Sequence, residues 1–250
     1  MDRPDTGQKD QVPGDYHLRP GYTLGGGSGN PHPEARRQAV ACGGIAIIDS
    51  TEPFVTVISG PSGVGKSTIA DRVLRLFENM RRSISYTTRP PREGEKEGEN
   101  YFFVSEGRFR GLIEDGSLIE WAEVYGNLYG TGIEYVSTNL EQGWNLLLEI
   151  DIKGGESVKG KLPRSVLIMV VPPSLEALEQ RLRGRKTDRE GDIRRRLDNA
   201  ISELRHWSNY DYVVINDRLE DAVERVRGII RSEMARSSRI KMIKSVDKER

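Results

Sequence analysis

The residues Gly60-Pro61-Ser62-Gly63-Val64-Gly65-Lys66-Ser67 fit the pattern G-x-x-x-x-G-K-[ST]. Each part has a task at a phosphate. The glycines let the backbone turn tightly enough to aim N–H groups inward at phosphate oxygens. Lys66 reaches the β- and γ-phosphates, and the Ser67 hydroxyl suits Mg²⁺. A β-rich run, Phe54 to Ser59, leads in. A helical face of Ile69, Val73, Leu74, Leu76 and Phe77 leads out over Thr68 to Arg81, with its positive end toward the anion. This context predicts a nucleoside triphosphate site. It does not separate GTPases, ATPases and small-molecule kinases.

Further chemistry lies downstream. Ser85-Tyr86-Thr87-Thr88-Arg89-Pro90-Pro91-Arg92 is followed by Glu95, Asn100-Tyr101, Ile119-Glu120-Trp121-Ala122 and Leu128-Tyr129-Gly130-Thr131. At this distance behind the phosphate loop, the T-T-R-x-P-R-x-G-E run and I-E-W-A are specific. The chain resembles guanylate kinase from about Phe54 to Ala235, some three-quarters of its length. The resemblance implies ATP-dependent phosphorylation of GMP, with dGMP a second acceptor.

The residue chemistry agrees with that implication. A nucleoside monophosphate carries about two negative charges. Arg89 and Arg92, three apart, can clamp it, and Tyr101 and Tyr129 offer phenol donors to the same oxygens. Guanine presents two donors, N1–H and the 2-amino group, which a carboxylate accepts. The resemblance puts Glu120 there, Ser85 and Thr131 near the O6 and N7 edge, and Asp151 near the 2-amino side. Adenine would turn an acceptor toward the carboxylate, a mismatch worth about 10⁴–10⁵ in discrimination. Glu95 either orients the arginine clamp or binds phosphate-bound water.

The run Leu146-Leu147-Leu148-Glu149-Ile150-Asp151 reads as an apolar strand ending in two acids that alternate onto one face. An acid there helps hold Mg²⁺ in phosphate-loop proteins. Related kinases often have Asp where Glu149 stands, and the longer Glu fits a water-mediated contact. The resemblance makes the charged stretch 181–197 a lid over ATP. Arg181, Arg185 and Arg196 are its arginines, set to stabilise charge on the transferring phosphoryl group. Lys186 stands where the family commonly has Gly, which either stiffens the turn or adds a phosphate contact. Arg183, Arg194 and Arg195 read as solvated charge. Asn216, after the last strand, is expected beside the adenine ring, and Thr68 completes the ATP-binding set with Gly60 to Ser67.

Elements that position these groups follow from apolar patterning. Asn145 to Ile150, Ser165 to Val171 and Tyr212 to Ile215 read as buried strands. Helical patterns follow them at Gly155 to Gly160, Ser174 to Arg183 (with Ser174 as N-cap) and Leu219 to Ala235. The alternation predicts an α/β fold: a P-loop NTPase core with a parallel sheet flanked by helices. Residues 83–133 break the alternation and read as an inserted NMP-binding lobe, within a domain spanning 53–238. Residues 1–52 read as a low-complexity, disordered extension, with Ile45 to Ile48 a candidate extra strand. Residues 239–250 read as a charged tail.

Composition excludes other classes. Lys plus Arg and Asp plus Glu both count 38, so no basic field points to nucleic acid. No apolar run approaches the ~18 residues of a membrane span. The extension lacks the apolar core of a signal peptide, and Asp2, Asp5, Asp10 and Asp15 oppose a transit peptide. Cys42 is the only cysteine, which excludes intramolecular disulfides and suits the cytoplasm. Two rivals remain. A peptide-binding scaffold module would not keep an intact phosphate loop. A kinase of another small phosphate ester would not need Glu120, Ser85 and Asp151 together.

Overall fold

The computed structural model describes residues 39–42, 45–48, 50–124, 126–184 and 190–241. Strands β1 (Ala39–Cys42) and β2 (Ile45–Ile48) form an antiparallel hairpin, and β3 (Ser50–Thr51) follows. These three strands fall where the sequence predicts a disordered extension. The candidate strand at Ile45 to Ile48 is present.

Strand β4 (Val55–Ser59) runs into the Gly60–Ser67 loop and helix α1 (Lys66–Leu74). The helix is shorter than the predicted Thr68 to Arg81. The chain leaves it to enter strand β5 (Met80–Arg82). Phe77, expected on the helix, still packs on the core from the connection. The buried Asn145 fixes this geometry: its side chain accepts from Phe54 N at 3.0 Å, while its backbone N–H donates to Asn79 O at 2.9 Å.

The inserted lobe holds β6 (Ser85–Thr87), β7 (Tyr101–Phe103), α2 (Glu106–Glu114), β8 (Leu118–Val124) and β9 (Asn127–Gly132). Its sheet has the order β7-β6-β9-β8. Phe109, Leu112, Leu118 and Leu128 bury a small core of its own. Ser105 caps α2 by accepting from Arg108 N at 3.2 Å. Helix α3 (Ile133–Glu141) returns the chain to the main sheet at β10 (Asn145–Glu149).

After β10 come α4 (Ile152–Lys161), β11 (Val166–Val171), α5 (Leu175–Gly184), α6 (Glu190–Leu204), β12 (Tyr212–Ile215), α7 (Leu219–Met234) and β13 (Ile240–Lys241). Ser174 caps α5 as predicted, accepting from Ala177 N at 3.2 Å. The central sheet is parallel, with the order β12-β11-β4-β10-β5. Its three inner strands, β4, β10 and β11, are buried on both faces. Ile58, Leu147, Ile168 and Val170 pack toward α1 and α7, with Ile69, Val73, Val226 and Ile230. Val57, Leu146, Leu148 and Met169 pack on the other face, with Val136 of α3 and Val158 of α4. Burial on both faces explains why these strands read as continuous apolar runs. Strand β4 lies centrally, and its two neighbours come much later in the chain. The crevice at its carboxyl end is therefore the switch point where α/β sheets place ligands.

Candidate active site

The phosphate loop occupies that crevice. Gly60 adopts φ +141°, and a Cβ there would sit 2.1 Å from Val170 O, so only glycine fits against β11. Gly65 has φ +100°, and a Cβ would meet Asn216 Nδ2 at 2.6 Å. No side chain caps α1, whereas Ser105 caps α2, and no acid lies in its first turn, in contrast to α2 and α7. Its N-terminal N–H groups are left for an external anion. Lys66 Nζ donates to Gly60 O at 2.6 Å and Pro61 O at 3.0 Å, so the ammonium is curled over the loop. Gly60, Gly65, Lys66, Ser67, Glu149 and Asp151 line a cavity of about 290 Å³.

Asn216 is buried, and its amide donates to Val64 O at 2.8 Å. The side chain expected beside adenine thus also braces the loop. Arg181 Nη2 in turn donates to Asn216 O at 2.7 Å, so this predicted lid arginine anchors the brace. Arg196 reaches from α6 to Ser62, Nη1 to Oγ 3.5 Å. Arg185 and Lys186 lie outside the described residues. Glu203 was not anticipated from the sequence. It lies seven residues past Arg196, on the same helix face, and lines the loop cavity. Burial pushes its carboxyl above the ordinary value, and Lys66 pulls it back.

Glu149 closes the far wall. Its Oε1 accepts a hydrogen bond from Ser67 Oγ. Its Oε2 accepts from Arg82 Nη1 at 2.8 Å, and Arg82 Nη2 donates to Asp71 Oδ1 at 2.6 Å. Neither Arg82 nor Asp71 was singled out in the sequence. Asp151 is not a strand residue: β10 ends at Glu149, and Asp151 caps α4, accepting from Gly154 N at 2.7 Å. Both acids nevertheless face the loop cavity.

The lobe contributes a second cavity of about 410 Å³, lined by Ser85, Tyr101, Thr131, Arg82, Ser67 and Glu149 among others. Ser67 and Glu149 are common to both cavities. Thr87 and Thr88 build the turn that carries Arg89: Thr87 Oγ1 accepts from Arg89 N at 3.1 Å, and Thr88 Oγ1 accepts from Leu128 N at 2.9 Å. Arg89 Nη2 donates to both Glu95 oxygens, at 2.8 and 2.9 Å, and its guanidinium lies 5.4 Å from the Tyr101 ring centroid. The Arg89 hydrogen bond holds the Glu95 carboxyl below its ordinary value. Of the two roles open to Glu95, the geometry matches orienting the clamp. Tyr129 stands edge-on to Tyr101, ring centroids 6.0 Å apart. Arg92 is exposed, and it joins this cluster through its backbone N–H, 2.8 Å from Glu95 Oε2.

Glu120 is buried, with 6% of its surface exposed. Thr131 Oγ1 donates to Glu120 Oε1 at 2.6 Å. A hydroxyl has one hydrogen, so Thr131 spends it on Glu120 rather than on an O6 or N7 acceptor. A Cβ on Gly154 would lie 3.1 Å from Glu120 Oε2 and 3.2 Å from Asp151 Oδ1, so the two carboxylates converge over this glycine. Burial pushes the Glu120 carboxyl above its ordinary value, the Thr131 hydrogen bond lowers it, and Asp151 raises it.

A parallel α/β sheet with a phosphate loop at its switch point, joined to an inserted lobe with its own cavity, defines a phosphate-loop phosphotransferase of the small-kinase kind. A family model described as guanylate kinase matches residues 53–233. The guanylate kinase of Caldanaerobacter subterraneus subsp. tengcongensis is 48% identical over 188 residues, covering 75% of this chain and 91% of the relative. That of Thermotoga maritima is 45% identical over 183 residues, covering 73% and 88%. The crystal structure of guanylate kinase from Anaplasma phagocytophilum is 34% identical, with a TM-score of 0.60 over 76% of this chain and 90% of that one. The chain belongs to the guanylate kinase family.

Proposed function

We propose that this enzyme transfers the γ-phosphoryl group of ATP to GMP, giving ADP and GDP, and takes dGMP as a second acceptor. The observation that carries the choice of base is the buried Glu120, held by Thr131 and facing Gly154 beside Asp151. An ionised carboxylate there accepts from guanine N1–H and the 2-amino group, with Asp151 adding acceptor character on the 2-amino side. Ser85 donates toward O6 and N7, and Thr131 acts by holding Glu120. Arg89, Arg92, Tyr101 and Tyr129 bind the acceptor phosphate, with Glu95 orienting Arg89.

The two cavities meet at Ser67 and Glu149, which supports direct transfer between adjacent donor and acceptor phosphates. No covalent enzyme intermediate is needed. Ser67 and Glu149 offer hard oxygen donors, which fit Mg²⁺, an ion that keeps most of its shell for phosphates and water. Among the described residues there is no cluster of three or more His, Cys, Asp or Glu that would form a dedicated metal cage. When bound, the ion would neutralise charge on the phosphates. Lys66, Arg196 and, by the sequence resemblance, Arg185 then stabilise the transferring group, while Arg181 and Asn216 hold the loop. No described helix is long and apolar enough to cross a membrane. A single cysteine and nucleotide substrates suit the reducing cytoplasm.

A coupled assay of ADP release tests the assignment with GMP, AMP, UMP and CMP as acceptors. GMP should be strongly preferred. Equal turnover of AMP would overturn the role of Glu120.

A further inference from the structure

We infer that Arg82 is a positioning residue for the metal edge, holding the Glu149 carboxylate so that Glu149 takes the Ser67 hydroxyl hydrogen and leaves the Ser67 oxygen lone pairs for Mg²⁺. The inference rests on the metal-assisted reading of the phosphate loop and adds to it a residue outside the loop.

The geometry is a four-membered relay. Ser67 donates to Glu149 Oε1, Arg82 Nη1 donates to Glu149 Oε2 at 2.8 Å, and Arg82 Nη2 donates to Asp71 Oδ1 at 2.6 Å. Both carboxylate oxygens of Glu149 are therefore engaged, one by the hydroxyl and one by the guanidinium. Arg82 ends β5, which pairs with β10 in parallel, Arg82 opposite Leu147, two residues before Glu149. Asp71 stands on α1, the helix that begins at the loop. The guanidinium fork thus ties the far wall of the site to the helix that carries Ser67. A glutamate side chain has three torsions, and without the fork its carboxylate has other rotamers to visit.

Stability alone does not explain the arrangement. Arg82 and Asp71 are 39% and 60% exposed, and pairs so exposed add little to folding. Glu149 is only 17% exposed, and its other oxygen holds the hydroxyl that suits the metal. The effect of the bridge therefore falls on carboxylate orientation, as outer partners of metal sites commonly act.

Titration calorimetry of ADP, with saturating Mg²⁺ and with EDTA, reads this without turnover. The ratio of the two affinities measures the metal contribution. Arg82→Met and Asp71→Asn should each lower that ratio, by about tenfold for Arg82→Met, with affinity in EDTA and the apo melting temperature close to wild type. A pure charge effect gives opposite signs: losing a cation would raise the ratio in Arg82→Met, and losing an anion would lower it in Asp71→Asn. A raised or unchanged ratio in Arg82→Met overturns the inference and leaves the metal-assisted reading standing. A wild-type protein whose ADP affinity ignores Mg²⁺ would overturn both.

Discussion

Thr131 donates its hydroxyl to Glu120 across the β8–β9 ladder, Oγ1 to Oε1 2.6 Å, and the two residues are direct ladder partners. The bond fixes one carboxylate oxygen of a buried acid and leaves the orientation of the whole group set before any nucleotide arrives. Preorganised acceptors of this kind discriminate by what the wrong base leaves unpaired.

Base choice should follow from that geometry. Inosine monophosphate keeps N1–H but lacks the 2-amino group, so kcat/KM should fall by an amount equivalent to about 2–4 kcal/mol, with AMP poorer still. Glu120→Gln should weaken GMP selectively while leaving ATP binding intact, because an amide cannot accept on both sides. Steady-state kinetics with the three acceptors check this. An unchanged specificity constant for GMP in Glu120→Gln would place base reading elsewhere.

The same residue should cost the free enzyme stability. The folded carboxyl is raised above its unfolded value by burial, so the fold prefers the protonated form. That preference is fully present below the unfolded pKa and is lost as pH rises through the folded one. Glu120→Gln should therefore melt higher than wild type at neutral pH, with the gain shrinking as pH falls through the raised folded value toward the ordinary carboxylate range. Paired melts of the ligand-free proteins across that range measure it, and a gain that grows toward acid pH would contradict the sign.

Asn216→Ala removes the brace on the phosphate loop and leaves Val64 O without its donor. The loss should be about 1–3 kcal/mol in stability, with a raised KM for ATP and little change in KM for GMP. Denaturant melts and two-substrate kinetics separate these effects. A variant whose KM rises only for GMP would show that Asn216 serves the acceptor side.

Order near the start of the chain should be measurable by truncation. Strand β3 pairs with β13, Thr51 opposite Ile240, and Glu52 bonds Arg164 at 2.6 Å. A chain beginning at Ser50 should melt higher than one beginning at Pro53, by a few degrees for about 1 kcal/mol. Identical melting temperatures would mean that β3 adds nothing to the core.

Some of this was determined by sequence alone. Gly60 and Gly65 serve backbone conformations that other residues strain to reach, so the loop was legible as a motif. The runs around Asn145 and Val166 were legible as strands because both faces of the inner sheet are buried, while Tyr212 to Ile215, an edge strand with Val213 and Ile215 exposed, was legible by its β-branched run alone. The resemblance names a set of acceptor residues, and their contacts with one another come only from the tertiary structure. Thr131, expected at the base edge, lines the acceptor cavity and donates its hydrogen to Glu120, a contact that depends on β8 lying beside β9. Asn216, expected beside adenine, also braces Val64, 152 residues earlier in the chain, a contact no local pattern announces. Helix α1 was expected to run to Arg81, but pairing with β10 draws Met80 to Arg82 into a strand. Arg82 carried no local signal at all, because its partners stand 11 and 67 residues away. Local backbone demands and burial periodicity are written in neighbouring residues. The direction in which a long polar side chain spends its hydrogen bonds is decided only when the sheet, the helix and the lobe bring distant partners within reach.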